Sequence, residues 1–197
     1  MIFFKRYISI VFIMLSNFLP LAYFLYKQID FYEGVFLYFI DFFVIGIFVT
    51  IKISLSKKVD PIKIESVMNS PKEASLYYFC IYLAIVIFAS STVSLQFENI
   101  TGNYRFILYA LAAFLASRGF SFLFNFIITN ESETHSPKDY YISEFPRLGI
   151  IIFLMFILDM NNYLLAFISI YIIKTLVDLY FHLNEHGYIK SSLFKKQ

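Results

Sequence analysis

The chain has 197 residues, 59% of them hydrophobic, 21% aromatic and only 15% charged. A water-soluble domain of this size has no use for 26 Phe and 16 Tyr beside so few charges, which points instead to a polytopic membrane protein. The net charge of +2 leaves no footprint for nucleic acid, and the single cysteine, Cys80, excludes a disulfide framework.

A helix needs about 20 apolar residues to cross about 30 Å of hydrocarbon. Segments 7–26, 31–51, 76–97 and 104–128 meet this plainly. Lys5 and Arg6 precede the first with no small-x-small cleavage pattern after it, so it reads as a retained signal anchor. Between the second and third, Asp60-Pro61 and Ser70-Pro71 are helix-start signals, a cap followed by proline at the first helical position. Glu73, three residues after Ser70, completes a capping box, and 60–69 reads as a short interfacial helix. After the fourth span, "TNESETHSPKDYY" falls in a polar loop at 129–144, expected in cytoplasmic water, with a further start signal at Ser136-Pro137. In the fifth, the uninterrupted run 148–158 reaches only about 16 Å. Extended to 145–161, with Pro146 and Arg147 at one interface and Asp159, Asn161 and Asn162 at the other, it becomes a span; a re-entrant segment is the alternative. The last span is 163–183. No internal repeat and no paired proline breaks are visible.

Basic residues orient these six spans. The amino end, the second–third and fourth–fifth loops and the tail hold Lys5, Arg6, Lys52, Lys57, Lys58, Lys63, Lys72, Lys138, Arg147, Lys190, Lys195 and Lys196. The opposite side holds only Lys27 and Arg105. By the positive-inside rule both termini are cytoplasmic. The expected fold is a single all-α domain over residues 1–197, a polytopic transmembrane bundle in the cell (cytoplasmic) membrane, with the lipid bilayer as its partner and a homo-oligomer left open.

Four ionised side chains fall inside spans: Asp41, Arg118, Lys174 and Asp178. Each costs several kcal/mol in lipid unless paired or hydrated, so they should face one another in the interior. Counting about 1.5 Å per residue places Asp41 level with Lys174 and Arg118 level with Asp178. The expected pairs are therefore Asp41–Lys174 and Arg118–Asp178, with Lys174 and Asp178 also neighbours at i,i+4. A charge swap between Asp41 and Lys174 is then expected to rescue either single variant. On the fourth span Ala113, Ser117, Ser121 and Asn125 recur every four residues, the spacing of close helix packing in membranes. Gly119-Phe120-Ser121, with His182 in the sixth span, has the helix placement of rhomboid-type serine proteases. Position 122 is Phe, however, so the G-x-S-G pattern is not completed.

The sixth span ends in "DLYFHLNEH", which contains H-x-x-E-H, the spacing of the inverted zinc-protease motif. That chemistry needs a further glutamate ligand well downstream, and only eleven residues follow His186. A lesser metal reading joins His182 and His186 to His135, Glu131 and Glu133 on the same side, with zinc as the natural ion. The blander reading is an interfacial helix end, with Gly187 as its cap.

The stretches "LSNFLPL", "LYFIDFFVIGIF", "SRGFSFLFNF" and "KTLVDLYFHLNEH" resemble an uncharacterised prokaryotic family of polytopic membrane proteins, domain of unknown function 6498. The resemblance implies a helical bundle and no activity. Its polar positions match Asp41, Ser117, Gly119, Ser121, Asn125, Lys174, Thr175, Asp178, His182, Glu185 and His186. Two positions depart: Arg118 stands where that family carries histidine, and Phe42 where asparagine commonly follows the second-span acid. A permanent cation at 118 removes a group that could titrate or bind metal. The leading expectation is a non-enzymatic integral membrane protein whose buried charges organise the bundle, with no cofactor. A small ion- or proton-coupled transporter and a metalloenzyme built on His182 and His186 are the alternatives.

Overall fold

The structure, a computed structural model, describes residues 2–27, 31–57, 70–94, 104–128, 130–157 and 163–185. The expected interfacial helix at 60–69, the polar residues at 159–162, His186, Gly187 and the lysine-rich tail lie outside the described residues. Within them the chain is helical: α1 (Ile2–Lys27), α2 (Phe31–Leu55), α3 (Pro71–Ser94), α4 (Tyr104–Ser121), a π-helical segment (Phe122–Ile127), α5 (Glu131–Thr134), α6 (Pro137–Ile157) and α7 (Tyr163–Glu185). Three helical stretches, Phe31–Leu55, Ile107–Phe124 and Leu164–Asn184, are long and apolar enough to cross a membrane. Ile10–Tyr23 and Ser75–Ser91 are shorter apolar helical stretches.

Local signals set several helix starts. The Glu73 amide donates to Ser70 Oγ at 3.3 Å, so Ser70 caps α3 one residue before Pro71. Ser136 does more: its amide and its hydroxyl both donate to Asp139 Oδ2, at 2.7 and 3.1 Å. α6 therefore begins at Pro137, inside the stretch expected as loop, and residues 137–144 are its first two turns. It runs unbroken for 21 residues, about 31 Å at about 1.5 Å each.

α2 lies at the centre and touches α1, α3, α4, α6 and α7. One face (Val35, Tyr38, Phe42, Ile45, Val49, Ile53) joins the main core with Tyr78 and Tyr82 of α3, Leu148 of α6 and Phe167 of α7. Another (Leu37, Val44) packs on Ala110 and Phe114 of α4. A helix that is apolar all round belongs in such a position. Two glycines allow the approach: a Cβ at Gly34 would sit 2.6 Å from the Phe167 ring, and one at Gly46 would sit 2.6 Å from the Tyr82 ring.

Polarity is inverted relative to a soluble protein. Asp41, Lys174, Asp178 and Asn17 are essentially inaccessible, whereas Phe88, Phe153, Leu165 and Tyr26 are each more than 60% exposed. Leu108, Tyr109, Leu76 and Leu176 extend that apolar exterior around the bundle.

Candidate functional site

Asp41 projects from the middle of α2, where the flanking helices exclude water on every side. Arg118 on α4 grips it with a fork: Nε donates to Oδ1 at 3.0 Å and Nη2 to Oδ2 at 2.8 Å. This bidentate geometry is the strongest form of the Arg–carboxylate pair. Lys174 on α7 donates to the same Oδ2 at 2.7 Å, to Asp178 Oδ2 at 2.8 Å and to Asn17 Oδ1 at 2.7 Å. Those three bonds use every ammonium proton. Its Nζ also lies 5.4 Å from the Tyr38 ring centre and 5.3 Å from that of Phe42, within cation–π range. Asn17 of α1 closes the set, with Nδ2 donating to Asp178 Oδ2 at 2.9 Å. Two carboxylates, two cations and one amide thus tie four helices together with no net charge.

The expected Asp41–Lys174 pair is present, but Arg118 reaches Asp178 only at 3.5 Å and spends its fork on Asp41. The depth argument compared Cα levels. A helical side chain leans toward its own N-terminus, which carries the long Arg118 chain about a turn back, to the level of Asp41. Asn17 was missed. Its signal was a primary amide in the middle of an apolar run, legible but uncharged and so not weighed.

A second polar cluster sits at the end of the bundle where α2 finishes and α6 begins. Glu144 and Arg147, both buried, pair at 2.8 Å within α6, and the Arg147 guanidinium lies 5.1 Å from the Phe181 ring centre. Arg147 was expected at an interface; its i,i+3 partner Glu144 is what lets it turn inward. Lys52 on α2 meets Glu131 at 3.6 Å and stands over the Tyr140 ring at 5.3 Å. Glu131, expected in open water, is buried between Lys52 and His135, whose Nδ1 lies 3.8 Å away. Ser56 Oγ donates to the His135 carbonyl at 2.8 Å, and Lys57 pairs with Glu133 at 3.1 Å on the surface. These contacts fold the acidic stretch back onto the end of α2.

A cavity of about 50 Å³ joins the two clusters. Lys52, Arg118, Ser121, Glu144, Arg147 and His182 supply its polar lining. α4 changes character at its edge. From Phe122 to Ile127 the helix is π, and the Ile128 amide bonds the Leu123 carbonyl five residues back at 3.1 Å. Wide turns of this kind are frequent at functional sites. The four-residue stripe from Ala113 therefore loses its register after Ser121. Ser117 Oγ donates to the Phe12 carbonyl of α1 at 3.3 Å, which is a helix-packing contact, while Ser121 faces the cavity.

The family model for a Family of unknown function (DUF6498) matches residues 4–193, nearly the whole chain. The chain belongs to that family. No curated protein and no solved structure matches it. Of the polar positions the family motifs carry, Asp41, Lys174 and Asp178 lie in the buried network, Ser121 and His182 line the cavity, and Thr175 is buried beside the network. Gly119 is no steric necessity: an added Cβ would meet only Phe48, at an ordinary 3.6 Å. Ser121 and His182, noted for their rhomboid-like placement, border the same cavity together with three cations. For the metal reading, no group of three His, Cys, Asp or Glu side chains able to hold an ion occurs among the described residues. His186 and the Glu185 and Asn125 side chains lie outside that description.

Proposed function

We propose that the chain is a six-span integral membrane protein of the cell membrane, with both termini cytoplasmic, whose buried charge network fixes how its helices assemble. The observation carrying this reading is the inverted polarity: a fully desolvated Lys174 inside, and Phe, Leu and Tyr side chains outside. Water would penalise both halves of that arrangement, and lipid favours both, because intramembrane charges turn inward and pair. α1, α3 and α6, at 26, 24 and 21 residues, have the length to join the three longer apolar stretches as spans. Lys57, with an exposed side chain, supplies the test. In a Cys80→Ser background, Lys57→Cys should react with a membrane-impermeant thiol reagent only after cells are opened. Labelling on intact cells would overturn the orientation.

A second reading, an ion- or proton-coupled carrier, is favoured by one observation, the polar cavity at the π-helical turn of α4. It predicts pH-dependent flux in proteoliposomes that Asp41→Asn abolishes; absence of flux in sealed vesicles containing folded protein would remove it.

A further inference from the structure

The cavity's lining is asymmetric in charge. Three permanent cations, Lys52, Arg118 and Arg147, face it, against one carboxylate, Glu144. Each cation also has an acid: Asp41 on Arg118, Glu144 on Arg147, and Glu131 on Lys52 at a looser 3.6 Å. Asp41, Asp178 and Glu131 are not part of the lining, so the cations stand in front and most of the acids behind. Arg118 shows the arrangement atom by atom. Its Nε and Nη2 point at Asp41, and the side chain, about a tenth exposed, borders the cavity. That leaves the Nη1 edge, with two N–H donors, for whatever enters. Ser121 adds a neutral polar side chain to the same lining. The volume of about 50 Å³ exceeds the roughly 10–15 Å³ that one water needs, so a small ion fits.

We propose that this cavity binds a small monovalent anion, such as a halide or a carboxylate group, held by the Nη1 edge of Arg118 with Lys52, Arg147 and Ser121 around it. Asp41, Asp178, Glu131 and Glu144 already offset Lys52, Arg118, Arg147 and Lys174, so every negative charge that enters is in excess and a singly charged anion costs least. The site goes beyond the assembly role and holds whether or not the protein transports anything.

The test uses full-length protein purified in detergent and unfolded thermally in chloride or formate, with gluconate at equal ionic strength as the bulky control. Chloride and formate should raise Tm saturably, since a ligand that binds only the folded state stabilises it by mass action. Gluconate should not. Lys52→Gln, which leaves the Arg118–Asp41 fork in place, should weaken the half-effect concentration about tenfold, the loss of one charge-assisted contact. Its Tm in gluconate reports whether it folds, and Ser121→Ala, with a smaller shift in the same direction, serves if it does not. Octanoate distinguishes the source: tighter binding than formate supports the site with a lipid-borne carboxylate, and equal or weaker binding supports it with a free ion. Equal effects of chloride and gluconate on the wild type would overturn the proposal, as would an unchanged chloride response in both variants.

Discussion

Lys174 directs all three ammonium protons at oxygen, two of them on carboxylates and one on the Asn17 amide, so the charge enters the bundle without water. Removing it leaves Asp41 and Asp178 facing each other across the gap. Breaking a buried ion pair from one side costs about 3–5 kcal/mol, so Lys174→Met should unfold at much lower temperature than the wild type in the same detergent. Asn17→Leu should be milder: Asp178 and Lys174 each lose one partner of several, at about 1–3 kcal/mol for the bonds left unmade. The charge swap now carries the opposite expectation from the one the sequence suggests. Asp41→Lys would face Arg118, and Lys174→Asp would face Asp178, so the double variant should express no better than either single one. Rescue in a membrane-fraction immunoblot would contradict the shared-carboxylate geometry. The four intramembrane charges were legible because an ionised residue in an apolar run has few explanations. Their pairing was legible in part: Asp41–Lys174 and Lys174–Asp178 form as expected, while Arg118 turns its fork to Asp41 and meets Asp178 at a longer 3.5 Å, because side-chain reach moves a guanidinium by a turn. Glu144 escaped notice and Arg147 was expected at the interface because both lie at a predicted span boundary, where charges ordinarily meet water.

At the scale of helices, α2 is held by what it lacks. Gly34 and Gly46 let the Phe167 and Tyr82 rings lie directly on its backbone, and a ring cannot yield as a flexible chain end can. Gly46→Ala should therefore destabilise by about 1–3 kcal/mol, as overpacking does in a filled core. Gly119→Ala should be neutral or slightly stabilising, since its Cβ meets only an ordinary contact and alanine is the better helix former. Thermal unfolding of the two variants side by side checks the contrast; equal losses would mean that α4 packs more tightly at Gly119 than the 3.6 Å contact implies. The start of α6 was written in Ser136-Pro137, yet the polar composition of its first two turns argued for a loop. Composition misled because those turns fold against the end of α2, where the Tyr140 ring lies 5.3 Å from the Lys52 ammonium. The π-helical turn had no sequence signal at all: "FLFNFI" reads as ordinary apolar helix, and its widening depends on how α4 meets its neighbours.

For the whole molecule, the exterior decides the solvent. Among the described residues, large apolar side chains are exposed on α1, α3, α4, α6 and α7. The protein should remain in the pellet after alkaline carbonate washing and need detergent for release; release by carbonate alone would be incompatible with an integral protein. Lys57 and Glu133 pair on the surface just beyond the end of α2.

The intrahelical contact between Lys174 and Asp178 bears on biogenesis. On the six-span reading α2 would bring a lone Asp41 into the bilayer and α4 a lone Arg118, whereas α7, which follows both, carries a cation and an acid 2.8 Å apart on one face. It can leave the translocon already self-neutralised, at a lower insertion cost than two separate charges would impose. Until then Asp41 and Arg118 have only each other to mask them. α7 then acts as the closing strut of the charge network, and a chain truncated before it should be recognised as unfinished and degraded.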